Sequence, residues 1–297
     1  MSHHISYQKI GKLSAVFILL FPIILYGLQT RLRPSTTEEK TELFKGILYQ
    51  RKKYVTSRPF IVHAVEIDLN TSKIKPFVTP SLSISDRENT NQALTTSEFI
   101  QQFGVQLAIN GSFFFPFREV TPWSYYPKTG ETVNALGQSI SQGLSYGKFA
   151  DKWNTLCFDR FNQAQIYEQK TCPNNTVWGI AGGSVIVIDG KSDVTNDTPN
   201  YARTVVATNK EGNKLWLIIV DGKQPVYSEG ATLKEVAAIA IKLGADRAIN
   251  LDGGGSTTLA IAKDHEIKVL NAPIHSKILM NERPVANHLG FFAEPIE

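Results

Sequence analysis

Three apolar runs in this chain each end at a polar residue followed by glycine. Residues 105–109 lead into Asn110-Gly111, residues 215–220 into Asp221-Gly222, and residues 247–251 into Asp252-Gly-Gly-Gly255. Short runs rich in β-branched residues read as strands, and glycine lets the backbone turn sharply where they end. Such punctuation argues for a sheet protein with polar side chains gathered at strand ends. With 42% hydrophobic and 20% charged residues in 297, the chain can fill a core, which excludes a disordered, collagenous or coiled-coil protein.

The remaining pattern is also strand-rich. Residues 60–68 (FIVHAVEID) alternate, and 138–149 and 155–167 read as antiparallel strands. Residues 185–188, 204–208, 259–262, 267–270 and 285–293 are further strands, and 209–213 is a hairpin turn. Residues 81–91 read as a polar loop. Two segments read as helices, 95–103 and 233–243. The second opens on Thr232-Leu-Lys-Glu235, a capping box, and Gly244 closes it. Residues 113–127 hold four Phe, one Trp and two Tyr among prolines, so they read as a structured loop. The expected fold is α+β: a mixed, largely antiparallel sheet with helices packed on it.

The N-terminus stands apart. Lys9 and Lys12 precede residues 13–28, an uncharged stretch, LSAVFILLFPIILYGL. A basic region before an apolar one reads as an export signal. Sixteen helical residues span about 24 Å, slightly less than a hydrocarbon core. A cleaved signal peptide and an uncleaved membrane anchor both fit, and the missing small-x-small site favours the anchor. The expected organisation is residues 1–30 as signal or anchor, 31–58 as a polar tether, and 59–297 as a single catalytic domain. The formal charge is +4 and scattered, so no nucleic-acid partner is expected. The two cysteines, Cys157 and Cys172, read in an exported chain as one disulfide, and otherwise as two free thiols.

The chemistry is read from what is present. Gly253-Gly-Gly-Ser-Thr257 has no lysine after its glycines, so it is not a Walker loop, and no dinucleotide fingerprint occurs. His265-Glu266 lacks a zincin's second histidine, and the six histidines read as surface or packing residues. Each Asn-Gly or Asp-Gly step alone is first of all a turn. Three together, one with consecutive glycines, point to a site at strand ends, where loop amides can form an anion nest. Arg203 and Arg283 suit a phosphate, or else surface ion pairs.

Several segments together resemble the phosphodiester glycosidase family. They are Ala108-Ile-Asn-Gly-Ser-Phe113, Ile180-Ala-Gly-Gly183, Ala202-Arg-Thr204, LWLIIVDGKQ (215–224), Ser228–Glu235, Leu243-Gly-Ala245, Asn250–Thr257 and Glu282–Asn287. Ala231 departs from the resemblance, which leads us to expect Met or a similar residue there, and the aromatic loop 114–126 does not align. The resemblance implies hydrolysis of a sugar joined through its anomeric carbon to a phosphodiester. Asp221 and Asp252 would then be the carboxylate pair of glycoside cleavage. Arg203 and Arg283 would neutralise phosphate. Asn110, Ser228, Thr232, Asn250 and Ser256, with the loop at Gly253 and Gly254, would position the substrate. Thr232 has a competing duty as helix cap. No cofactor is expected, although a divalent cation such as calcium could sit at Asp252. The implied partners are a sugar-phosphodiester or envelope phosphoglycan, and a membrane through residues 13–28. The rival readings are a non-catalytic carbohydrate- or phosphoglycan-binding envelope protein on the same fold, and a structural envelope protein.

Overall fold

Along the strand Arg203–Thr208, successive side chains serve two different cores. Val206 points into one, and Val205 and Ala207 into the other. This period of two is what a strand buried on both faces requires. The computed structural model describes residues 20, 21, 24, 26–81, 90–147, 153–168, 171–196 and 198–296. Arg203–Thr208 lies inside an eight-stranded sheet. Its order is Glu39–Phe44, Ile47–Val55, Pro59–Asp68, Lys214–Val220, Arg203–Thr208, Arg247–Asn250, Val185–Ile188 and Lys191–Ser192.

The helix Leu233–Leu243 covers the outer face of this sheet, packing Val236, Ala237 and Ala240 against Val205, Trp216 and Ile218. The inner face packs on two five-stranded sheets. One runs Glu266–Val269, Leu259–Lys263, Leu107–Asn110, His288–Phe292, Lys75–Val78. The other runs Leu144–Tyr146, Ser139–Ser141, Thr176–Gly182, Asn154–Asp159, Ala164–Tyr167. Val65, Leu217 and Ile219 meet Ile109, Leu259, Leu156 and Ile180 there, forming the main core. A second helix, Thr96–Phe103, seals the far side with Phe99 and Ile100 on Ala108 and Ala260.

Both helices form as the sequence leads one to expect. Thr232 Oγ1 accepts from the Glu235 amide at 3.2 Å, and the Glu235 carboxylate accepts from the Thr232 amide at 2.8 Å. Gly244 ends the helix at φ +102°, a left-handed conformation that costs glycine little. The hairpin at 209–213 and the bond between Cys157 and Cys172 are both present.

Other expectations need correction. Every ladder between strands is antiparallel, so no mixed sheet exists among the described residues, and the balance is β-dominant. The reason is connectivity: many neighbouring strands are joined by tight turns, which need no crossover helix. Residues 39–55, read as part of a polar tether, pair as the first two strands of the large sheet. The run Arg51-Lys-Lys53 in the second strand and the acidic residues of the first hid the alternation of buried Ile47 and Tyr49. The expected strand at 138–149 folds back at Gln142 and Gly143, with φ +52° and +80°. The run 155–167 is likewise a hairpin of two strands, and 285–293 narrows to His288–Phe292. Lys9, Lys12 and most of the apolar stretch 13–28 (13–19, 22, 23, 25) lie outside the described residues, as do 82–89 of the polar loop and residues 148 and 149. Among the described residues, no helix is long and apolar enough to cross a membrane.

Thr232 therefore acts as a cap. Thr232→Ala is expected to lose about 1 kcal/mol in urea unfolding, with the cleft's ligand affinity unchanged.

Candidate functional site

The strand ends Arg203 and Asn250, and Lys223 just past the strand that ends at Val220, open onto one cleft of about 790 Å³. Its floor is Asn250, Asp252 and the glycines 253–255. Tyr201, Arg203 and Lys223 line it, as do Ile274, Lys277 and Arg283. The aromatic loop contributes Phe113, Phe114, Phe117 and Glu119. A second hollow of about 480 Å³ lies elsewhere, and there Arg247 and Glu168 are spent on each other at 2.8 Å.

Asp252 is the carboxylate on the cleft floor. One oxygen accepts from the Gly253 amide at 2.9 Å, and Ser256 and Arg283 act on the same group. These contacts favour the ion, yet burial outweighs them and pushes the carboxyl up to about 6. Gly254 holds φ +63°, and any β-carbon there would stand 2.6 Å from the Tyr201 ring, so the loop must be glycine to pass beneath it.

Arg283 is fully committed. Its Nε donates to His275 Nδ1 at 3.2 Å, Nη1 to Ser256 Oγ at 3.2 Å, and Nη2 to Glu119 at 2.9 Å. Its guanidinium also lies 4.4 Å from the Phe117 ring centre. Burial, with Arg283 beside it, pushes His275 down to about 4, so it is a neutral acceptor.

Three other cations face the cleft without a carboxylate. Arg203 donates only to backbone, through Nε to Ala231 O and Nη2 to Pro199 O, and burial lowers its pKa. Lys223 sits over the Tyr201 ring at 4.2 Å. Lys277 rides a two-residue turn with Ser276, both at positive φ. Neither Arg203, Lys223 nor Lys277 has an ion pair among the described residues. The cleft thus holds four cations against Asp252 and Glu119. Asn250 adds a buried amide oxygen with no partner among the described residues.

Several expected site residues lie elsewhere or do other work. Asp221 does not line the cleft, and its side chain is fully buried. His63 Nε2 lies 3.0 Å from one of its oxygens, and Asn271 Nδ2 and the Ala272 amide donate to the other at 3.1 and 2.8 Å. Tyr49 OH lies 2.8 Å from His63 Nδ1 and extends this network. Ser228 is equally enclosed, accepting from the Ile61 amide and donating to Asp221 O. Asn110 is wholly buried. Its oxygen accepts from Thr204 Oγ1 and the Thr258 amide, and its amide donates to Asp252 O at 2.7 Å. It holds the glycine loop and does not face the cleft. Nor is the expected nest open, because the Gly253, Gly254 and Ser256 amides bond within the protein.

The sequence reading missed Tyr201, Lys223, Glu119 and Lys277, and took His275 as bland. The aromatic loop held Glu119 and the segment 215–224 held Lys223, but neither placed a charge in a cleft, and Tyr201 and Lys277 gave no signal. The sequence does contain one Gly-x-Ser-x-Gly step, Gly143-Leu-Ser-Tyr-Gly147, but it is a hairpin strand with exposed Ser145, not a strand-to-helix elbow. Among the described residues, no three His, Cys, Asp or Glu side chains converge as a metal group.

Fold and cleft together define an antiparallel β protein with a cationic, glycine-floored site at its strand ends. A family model for phosphodiester glycosidase matches residues 103–292, and the chain belongs to that family. A bovine N-acetylglucosamine-1-phosphodiester alpha-N-acetylglucosaminidase is 27% identical over 188 residues, covering 56% of this chain and 33% of that protein. The chain thus matches about one third of that relative's length. The zebrafish catalytic domain of the same name, described as auto-inhibited by its pro-peptide, superposes with a TM-score of 0.59 at 19% identity. That match covers 87% of this chain and 89% of the other. A hypothetical protein from Synechocystis matches at 0.55 and 15% identity, over 88% of this chain and 64% of its own. These likenesses show the fold.

Two measurements follow. Asp221→Ala leaves three buried groups without their acceptor and is expected to cost about 3 kcal/mol or more in denaturant unfolding. A stable Asp221→Ala protein would return Asp221 to the list of candidate catalytic groups. At Asp252 the folded-state pKa lies above the ordinary carboxylate value, so its contribution to stability is present at low pH and lost as pH rises through about 6. Asp252→Asn is therefore expected to raise Tm at pH 8 relative to wild type, with the gain shrinking towards pH 4.

Proposed function

We propose that the chain hydrolyses the bond between a sugar's anomeric carbon and a phosphodiester. The observation that carries this reading is Asp252, a carboxylate pushed up to about 6 on the floor of a cleft whose cations outnumber its carboxylates. Family membership supports it. Breaking the anomeric C–O bond releases a phosphate monoester as an anion, so the leaving group needs little acid catalysis and much charge neutralisation. The cations provide that neutralisation. Ionised Asp252 faces the oxocarbenium-like centre, stabilises it, and takes a proton from the attacking water. Asn250 lines the cleft floor and offers a polar side chain to a sugar hydroxyl, and the faces of Tyr201 and Phe117 offer apolar surface to a ring.

We place this activity in an exported protein. The basic and apolar N-terminal stretch and the bond between Cys157 and Cys172 support that setting. Envelope phosphoglycans are the substrate class that fits it.

One observation favours a binding protein instead. Of the two aspartates expected to act, only Asp252 reaches the cleft, and the other carboxylate there, Glu119, is paired with Arg283. Turnover separates the two readings. A panel of sugar-1-phosphodiesters, assayed for free sugar with and without a chelator, is expected to show hydrolysis whose rate rises with pH through about 6. Asp252→Asn is expected to lose at least about 10²-fold. Wild-type rates from a folded Asp252→Asn protein would remove Asp252 from the mechanism. Ligand binding without sugar release would favour the binding protein.

A further inference from the structure

The resemblance pairs Arg203 with Arg283 as phosphate ligands, but the structure treats the two differently. All three nitrogens of Arg283 have protein partners, and one of these is the Glu119 carboxylate. An incoming phosphoryl group would have to displace Glu119 to reach it. Arg203 keeps Nη1 without a protein partner, and the Tyr201 hydroxyl and the Lys223 ammonium have none among the described residues. These three groups stand together. The Arg203 guanidinium lies 5.7 Å from the Tyr201 ring centre and the Lys223 ammonium 4.2 Å from it. All three line the cleft.

Two features show that this arrangement is built into the fold. Lys223 holds φ +58°, a left-handed conformation that costs a residue with a side chain. Its turn is secured from below, with the Ser228 amide donating to Gln224 O at 2.8 Å and Ser228 Oγ tied to the Asp221 carbonyl. Tyr201 is pinned through its backbone to Ala231 by paired hydrogen bonds of 3.2 and 3.0 Å. Arg203 meanwhile is a half-buried cation with no counter-ion among the described residues. A desolvated charge without a partner is costly, and a bound anion removes that cost.

We propose that Tyr201, Arg203 and Lys223 form the phosphoryl seat of the cleft, and that Arg283 positions Ser256 and Asp252 without binding phosphate. The inference deepens the glycosidase reading and uses its site. The seat recognises non-bridging phosphoryl oxygens, which a phosphodiester, its phosphomonoester product and inorganic phosphate all carry. Inorganic phosphate therefore competes with substrate, and the phosphorylated product is the last to leave.

The test is calorimetric titration of the full-length protein with inorganic phosphate at low salt. Lys223 is exposed, so Lys223→Met keeps the fold. It is expected to weaken phosphate binding at least about tenfold, since each charge-assisted contact to an anion contributes on that order. Arg203→Lys, which keeps charge but loses the fork, is expected to weaken it less than Arg203→Met. Glu119→Gln, which would free Arg283 and remove one negative charge from the cleft, is expected to tighten phosphate binding by less than about fivefold, the size of one exposed charge contact. Three results would overturn the proposal: no phosphate binding by wild type, wild-type affinity in Lys223→Met, or phosphate binding tightened about tenfold or more in Glu119→Gln, which would move the seat to Arg283. Binding is measured without turnover. If the seat binds phosphate as expected but no sugar-phosphodiester is cleaved, the glycosidase reading fails and the seat stands. If cleavage occurs with the same KM in Lys223→Met, the seat fails and the glycosidase stands.

Discussion

The buried carboxylate of Asp221 joins the sheets that form the cleft. It ends a strand of the large sheet and binds His63 on the neighbouring strand. Its other oxygen reaches Asn271 and Ala272, just beyond Glu266–Val269 in the second sheet. Asn271 in turn binds Thr257 O and the Leu259 amide, directly after the glycine loop. A wholly enclosed anion is tolerated only when its oxygens are satisfied, and here each oxygen has a partner. Asn110 does the same work on the other side of the loop, joining Thr204, Thr258 and Asp252. Between these two clamps the loop 252–257 has little freedom, and Asp252 is held where it is.

That arrangement explains which residues face the cleft. Polar residues at strand ends divide into those that turn inward to bind one sheet to the next and those carried past the end by a loop. Asp221 and Asn110 belong to the first group, Asp252 to the second. The surrounding wall comes from segments with special backbone, namely Lys223 at +58° and the Ser276-Lys277 turn. Charge reaches the cleft through turns, while the strands beneath supply rigidity.

Much of this was legible in the sequence. The capping box at Thr232, the strands at 185–188 and 204–208, and the hairpin between 208 and 214 all rest on local rules, which tertiary packing reinforced. The strands at 39–55 were hidden because acidic and basic residues run through both, so the composition read as a tether. Strand-end motifs located the site but did not separate its parts. Asp-Gly at 221 and 252 look alike in sequence, and only the partners brought in from His63 and Asn271, far away along the chain, make one structural and the other accessible. Tyr201 and Glu119 carried no motif, and Lys223 lay unremarked inside the segment 215–224, because their importance comes from which groups lack or hold a partner in space.

The three hydrogen bonds of Arg283 bear on how the site responds when charge moves within it. A side chain that must swing into place spends reorganisation energy during the chemical step. Arg283 is held by His275, Ser256 and Glu119 before any ligand arrives, so its field at Asp252 is a property of the folded chain. The basicity of Asp252 is therefore set by folding, and the site meets each new substrate with its electrostatics already in place.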